Sequence, residues 1–239
     1  MQELFLTTAD IVNIAINHYK NDNDSVVIIC PGWFMTKDSK AFCNMAMDFF
    51  KKYDVIVMDF RGHGKSHGFY TFTSKELADV AAVVNYAKSL EYKNIYLCGF
   101  SLGGALVLNY CAKYNNINRT IAVSPPSDFM KIENHMYSPH AWIPTLFKKF
   151  EPKRWMSIRA GFPLLKKERP IDVIQKIQVP VLFVAGEKDP TVFPWHTELL
   201  FNKAKCEKKY KIFKGSTHAE DIYMDFPEEF MRLCCDWLG

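Results

Sequence analysis

Long apolar runs are missing from this 239-residue chain. The longest, such as 26–30, have the length of a strand and fall far short of the roughly 20 residues that span a bilayer, so no membrane-crossing helix is expected. The opening residues, Met1-Gln2-Glu3-Leu4, supply neither the basic nor the apolar region of a secretory signal, and a cytoplasmic location is expected on that ground. The seven cysteines include no Cys-x-x-Cys pair. Cys30, Cys98 and Cys111 sit inside apolar runs, as buried thiols do, so neither a disulfide framework nor a zinc site is expected. Charge of either sign is in short surplus: 30 Lys and Arg against 26 Asp and Glu leave +4, too little to mark a nucleic-acid binder. Repeats and low-complexity segments are absent.

What is present is a core: hydrophobic residues make up 49% of the chain, enough for one large domain over 1–239. Short apolar runs alternate with longer segments of helical period, the pattern of a mostly parallel sheet with helices on both faces. Segments 4–7 and 11–17 read as an antiparallel pair. Strands without polar alternation, hence buried on both faces, are predicted at 26–30 and 55–58. Further strands are expected at 95–98, 120–123, 181–184 and 210–213, and helices at 40–52, 102–113 and from Pro227. Thr73-Ser74-Lys75-Glu76 has the form of a capping box ahead of a helix carrying Leu77, Val80, Ala81, Val84 and Ala87. The alternation breaks at 129–170, which reads as a cap inserted over the sheet.

Gly99-Phe100-Ser101-Leu102-Gly103 follows one predicted strand directly and opens a helix. Glycines at both ends allow a sharp turn that projects a strained serine from the strand's end, and the helix N-terminus behind it favours a developing oxyanion. Ser101 is therefore the candidate nucleophile. A serine hydroxyl needs a base and an acid to orient that base. Asp189, after the strand at 181–184, and His218, after the last strand, stand at the strand ends where such groups emerge, in the chain order Ser, Asp, His. Asp128 is the competing acid, since it follows the strand ending at Val123. Cys30-Pro31-Gly32-Trp33 ends the first buried strand, and the main-chain amides of Trp33 and Leu102 are the candidate oxyanion donors.

On these motifs, together with Asp59-Phe60-Arg61-Gly62-His63-Gly64-Lys65-Ser66 and Gly186-Glu187-Lys188-Asp189-Pro190, the chain resembles the α/β-hydrolase superfamily over nearly its whole length. It is similar to the branch of small esterases, monoacylglycerol lipases, thioesterases and serine-aminopeptidase-like proteins. The resemblance implies the α/β-hydrolase fold and makes Arg61 and His63 braces of a structural loop rather than catalysts. One departure stands out: Pro31 occupies the place where relatives carry a histidine before the glycine, so bracing of this loop must come from elsewhere.

The expected activity is hydrolysis of a small carboxylic ester or thioester through an acyl-enzyme on Ser101, with no metal or organic cofactor. Two alternatives stay open, a membrane-associated lipase or lysophospholipase and a non-catalytic binding protein on the same fold. Within 129–170, nine Lys and Arg against three Glu give +6, so the rest of the chain carries −2. Seven aromatics are interleaved there, and Trp142, Phe147 and Trp155 are the candidate substrate contacts. Such a stretch suits an acyl chain on an anionic head, with the membrane surface as a further contact.

Overall fold

Eight strands pair into one sheet in this computed structural model, which describes residues 1–133, 139, 143, 151–162 and 164–239. The strands are β1 (Gln2–Thr7), β2 (Asn13–Tyr19), β3 (Ser25–Cys30), β4 (Asp54–Met58), β5 (Asn94–Phe100), β6 (Arg119–Val123), β7 (Val181–Gly186) and β8 (Lys208–Phe213). Their order is β1-β2-β4-β3-β5-β6-β7-β8. β1 with β2 and β2 with β4 run antiparallel, and every later pair is parallel.

The helices cover both faces. Val27, Ile29, Val55 and Val57 point into a layer filled by Phe42 and Phe49 of α1 (Lys40–Phe50), Ile222 of α7 (Glu220–Asp225) and Phe230 of α8 (Pro227–Leu238). Val26, Ile28 and Ile56 point the other way, onto Val80 and Val84 of α2 (Leu77–Ser89), Leu106 of α3 (Leu102–Tyr114) and Leu200 of α6 (Pro194–Lys203). Successive residues of a strand face opposite sides, so a sheet covered twice needs continuous apolar runs, and β3 and β4 have them. Among the described residues between β6 and β7 are two single-turn α-helices, α4 (Pro152–Trp155) and α5 (Pro170–Val173), each opened by a proline at its first position.

From β3 the chain crosses to β4 on one side, then passes back to β5 on the other. Right-handed crossovers in opposite directions put α1 and α2 on opposite faces. The carboxyl ends of β3 and β5 part at this reversal and leave a crevice there.

Two expectations are corrected. The capping box is not made: α2 starts at Leu77 without a side-chain cap. Glu76 instead accepts from the N–H and hydroxyl of Thr71, while Phe72 and Thr73 both take positive φ. A five-residue turn thus replaces the three-residue spacing. The second correction is α6, a helix the sequence reading does not include. Its buried positions include His196 and Thr197, so no apolar stripe marks it.

Candidate active site

Ser101 follows β5 directly and precedes α3 with φ 53° and ψ −120°, a region costly for any residue with a side chain. Close packing of the turn holds it there. A Cβ on Gly99 would lie 2.4 Å from the Gly103 carbonyl oxygen, and one on Gly103 would lie 2.2 Å from that of Cys30. Only hydrogen fits at either place, so α3 packs directly on the ends of β3 and β5. Gly32 is pressed against the nucleophile in the same way, since a Cβ there would stand 3.0 Å from that of Ser101.

His218 and Asp189 arrive from the ends of β8 and β7. His218 Nε2 is 2.8 Å from Ser101 Oγ, and its Nδ1 is 2.6 Å from Asp189 Oδ2. A carboxylate only accepts, so Nδ1 carries the proton and Nε2 presents its lone pair to the serine hydroxyl. The other carboxylate oxygen of Asp189 accepts from the N–H groups of Thr191 and Val192, both at 2.9 Å. The His218 loop is seated by contact with the strand beside it: a Cβ on Gly186 would lie 1.9 Å from the Thr217 carbonyl. Asp128, the competing acid, is engaged elsewhere, accepting from the Met130 N–H and pairing with Arg169.

The main-chain N–H groups of Trp33 and Leu102 donate to no acceptor among the described residues. Leu102 opens α3, where an N–H has no intrahelical partner. The Trp33 loop is held from behind. Phe34, at φ 69°, donates its N–H to His63 Nε2 at 3.3 Å, and Lys37 donates its N–H to Asp59 at 2.6 Å. His63 Nδ1 in turn donates to the Arg61 carbonyl. Burial lowers the buried His63 ring to a pKa of about 4, with the nearby Arg159 charge acting in the same direction. The brace that Pro31 cannot supply therefore comes from the segment 59–66. Arg61 anchors that segment through Asp79 and Asp10.

The segment after α4 is strapped to the same loop. Arg159 donates its N–H to Gly62 and accepts from Tyr70, and its guanidinium reaches the Ser66 carbonyl. Of the candidate substrate contacts, Trp142 and Phe147 lie outside the described residues. Trp155 is half-buried at the end of α4, with the Arg154 guanidinium 5.9 Å from its ring centroid. A cavity of about 270 Å³ opens beside Leu102, lined by Ala105, Phe129, Leu165, Lys167 and Arg169 among others. Trp155 is not part of its lining.

A second serine–histidine contact lies nearby, and sequence reasoning missed it. His196 Nδ1 accepts from the N–H and the hydroxyl of Ser127, at 3.1 and 2.7 Å, while its Nε2 is 3.4 Å from Glu133. Burial draws this histidine below its usual range. Among the described residues no group of three or more His, Cys, Asp or Glu could hold a metal ion, and no helix is long and apolar enough to cross a membrane.

Comparison with known proteins agrees with this architecture. The chain is similar to the human serine hydrolase BPHL, 23% identical over 265 residues that span 98% of this chain and 88% of that protein. It is also similar to the uncharacterized membrane protein YNL320W of Saccharomyces cerevisiae, 26% identical over 250 residues covering 96% and 79% of the two chains. Among solved structures, the Pyrococcus furiosus esterase Pf2001 superposes with a TM-score of 0.80 at 22% identity, over 100% of this chain and 93% of that one. Residues 25–153, more than half of the sequence, match the model of the alpha/beta hydrolase fold family, and the chain belongs to that family.

Proposed function

We propose that the protein is a serine hydrolase that cleaves a small carboxylic ester or thioester through an acyl-enzyme on Ser101. The observation that carries this reading is the continuous relay from Ser101 through His218 to Asp189, at 2.8 and 2.6 Å, beside two unspent main-chain donors. His218 takes the serine proton as Oγ attacks the carbonyl carbon. The tetrahedral oxyanion rests on the Trp33 and Leu102 amides, and Asp189 stabilises the imidazolium. Collapse expels the alcohol or thiol, protonated by His218. A water molecule, deprotonated by the same ring, then releases the acid. Esters and thioesters fit this reading better than amides, because amines leave poorly.

A fluorophosphonate probe provides the test. It should label wild-type protein at Ser101 and leave Ser101→Ala unmodified, and a panel of acyl esters, acyl thioesters and peptide amides should show turnover of the first two classes. Absence of labelling at Ser101 in folded protein would move the chain to the non-catalytic binders of this fold.

A further inference from the structure

The Trp33 amide sits in a turn in which the Met35 N–H donates to the Gly32 carbonyl at 3.2 Å and Phe34 takes φ 69°. A bulky residue keeps a positive φ only where its surroundings fix the turn at both ends. One end is the close of β3, where Gly32 presses on Ser101. The other runs into Lys37, whose side chain is fully buried.

Lys37 and Lys65 make the same pair of contacts from two different loops. Each donates its main-chain N–H to one oxygen of Asp59, at 2.6 and 3.0 Å, and each ammonium reaches one oxygen of Glu3, at 2.6 and 2.9 Å. Two carboxylates and two lysines thus close a ring that joins β1, the residue after β4 and the Trp33 loop. The Lys37 ammonium also donates to Asp38 at 2.7 Å, and Asp38 accepts from Asn17 of β2 at 2.8 Å. Asn17 is paired with Glu3 across the β1–β2 hairpin, so both partners of the ammonium are seated on one cross-strand pair.

The two limbs of the ring differ in strength. The Lys65 ammonium is exposed and its pair is screened, whereas the Lys37 ammonium is withdrawn from water and holds its geometry against salt. Burial pushes the Asp59 carboxyl up to about 7; Asp38 acts with burial, while the two N–H donors and the Lys37 charge act against it. The ammonium therefore helps to keep ionised the carboxylate that its own N–H binds.

We propose that Lys37 is a positioning residue for the oxyanion hole: its ammonium, held by Glu3, anchors the turn that presents the Trp33 amide. A carboxylate on the border strand β1 then bears on the rate of a reaction at the ends of β3 and β5. The proposal rests on the serine-hydrolase reading of Ser101. Deleting one oxyanion donor costs about 10²–10³-fold in kcat, so displacing one should cost about tenfold.

Lys37→Met and Glu3→Gln test it, with active sites counted by fluorophosphonate titration so that unfolded molecules drop out of the rate. With the fastest ester of the panel, kcat per titrated site should fall about tenfold in Lys37→Met and about threefold in Glu3→Gln, with KM nearly unchanged. A trifluoromethyl ketone with the same acyl chain forms a hemiketal oxyanion on Ser101, and its affinity should weaken by the same factors. In the double variant Glu3→Gln should add little to Lys37→Met, because the two residues act as one unit. Glu3 is partly exposed on a border strand, so Glu3→Gln carries the test alone if Lys37→Met does not fold. Unchanged kcat per titrated site and unchanged ketone affinity would overturn the proposal, whatever stability is lost in urea. So would a fall in kcat that the ketone does not share. No turnover and no labelling at Ser101 in wild-type protein would overturn the hydrolase reading, and the proposal with it.

Discussion

Ser101 and Ser127 both lie within hydrogen-bond reach of a histidine ring, at 2.8 and 2.7 Å, and in both places a carboxylate approaches the ring's other nitrogen. Their surroundings differ in three ways. Ser101 stands on a strained turn at a strand end, whereas Ser127 lies buried behind α6. The His218 side chain is 18% exposed and that of His196 is 0% exposed. Next to Ser101 the amides of Trp33 and Leu102 are unspent, whereas the N–H of Ser127 is consumed by its own histidine. Proximity of Ser, His and a carboxylate is thus a packing solution as readily as a reactive one. Reactivity needs the turn, the open face and the spare donors as well.

The sharpest way to break this comparison is to remove one serine and ask whether the other takes over its role. Ser101→Ala should lower kcat on the order of 10⁶-fold, the scale for removing the nucleophile of a triad, measured with any ester the enzyme turns over. If residual labelling then appeared at Ser127, the contrast would collapse. Asp189→Asn should cost on the order of 10⁴-fold in kcat, because the amide fixes the wrong histidine tautomer. Asp128→Asn should change the rate little, and the reverse ranking would transfer the acid to the other strand end.

His63 tests the hidden support of the open site. Its native pKa of about 4 lies below the unfolded value of about 6.5. The unfolded chain therefore binds a proton first as pH falls. Stability present above pH 6.5 should be lost progressively down to about pH 4, by about 3 kcal/mol from this group. His63→Phe leaves the Phe34 N–H without an acceptor, and should cost about 1–3 kcal/mol at pH 7.5. The gap to wild type should then narrow toward pH 4.5 in urea titrations. A gap independent of pH would remove His63 from the brace. The smallest effect is expected at the closed site: Ser127→Ala should cost about 1 kcal/mol in stability and alter kcat less than twofold. A large loss of rate there would mean that the second contact reaches the chemistry.

Ser101 and Asp189 were legible because each follows a buried apolar strand, and His218 because it follows the last strand in the chain order Ser, Asp, His. Their meeting, at 2.8 and 2.6 Å, follows from the order of those strands. The resemblance marked His63 as a brace, but the loop it braces was not legible. Phe34 and His63 are 29 residues apart, and no local pattern announces a hydrogen bond between two loops. The true partner of Glu76 escaped for a related reason: Phe72 and Thr73 adopt positive φ, which spacing rules for ordinary backbone do not foresee. α6 was missed because burial there selects polar residues that satisfy one another, Ser127 and His196 among them, so hydropathy carries no signal.

The sheet order leaves β8 at one border, where its outer main-chain groups have no neighbouring strand among the described residues. Such a border is a template on which another chain can add a strand, and from there a fibre can grow. Three of the six residues of β8 are lysines. Lys208 folds back onto the last carbonyls of α6, Lys211 pairs with Glu229 of α8, and Lys209 stays in water. A strand added at this border would have to meet the exposed Lys209 ammonium, a charge of the kind that discourages edge-to-edge pairing.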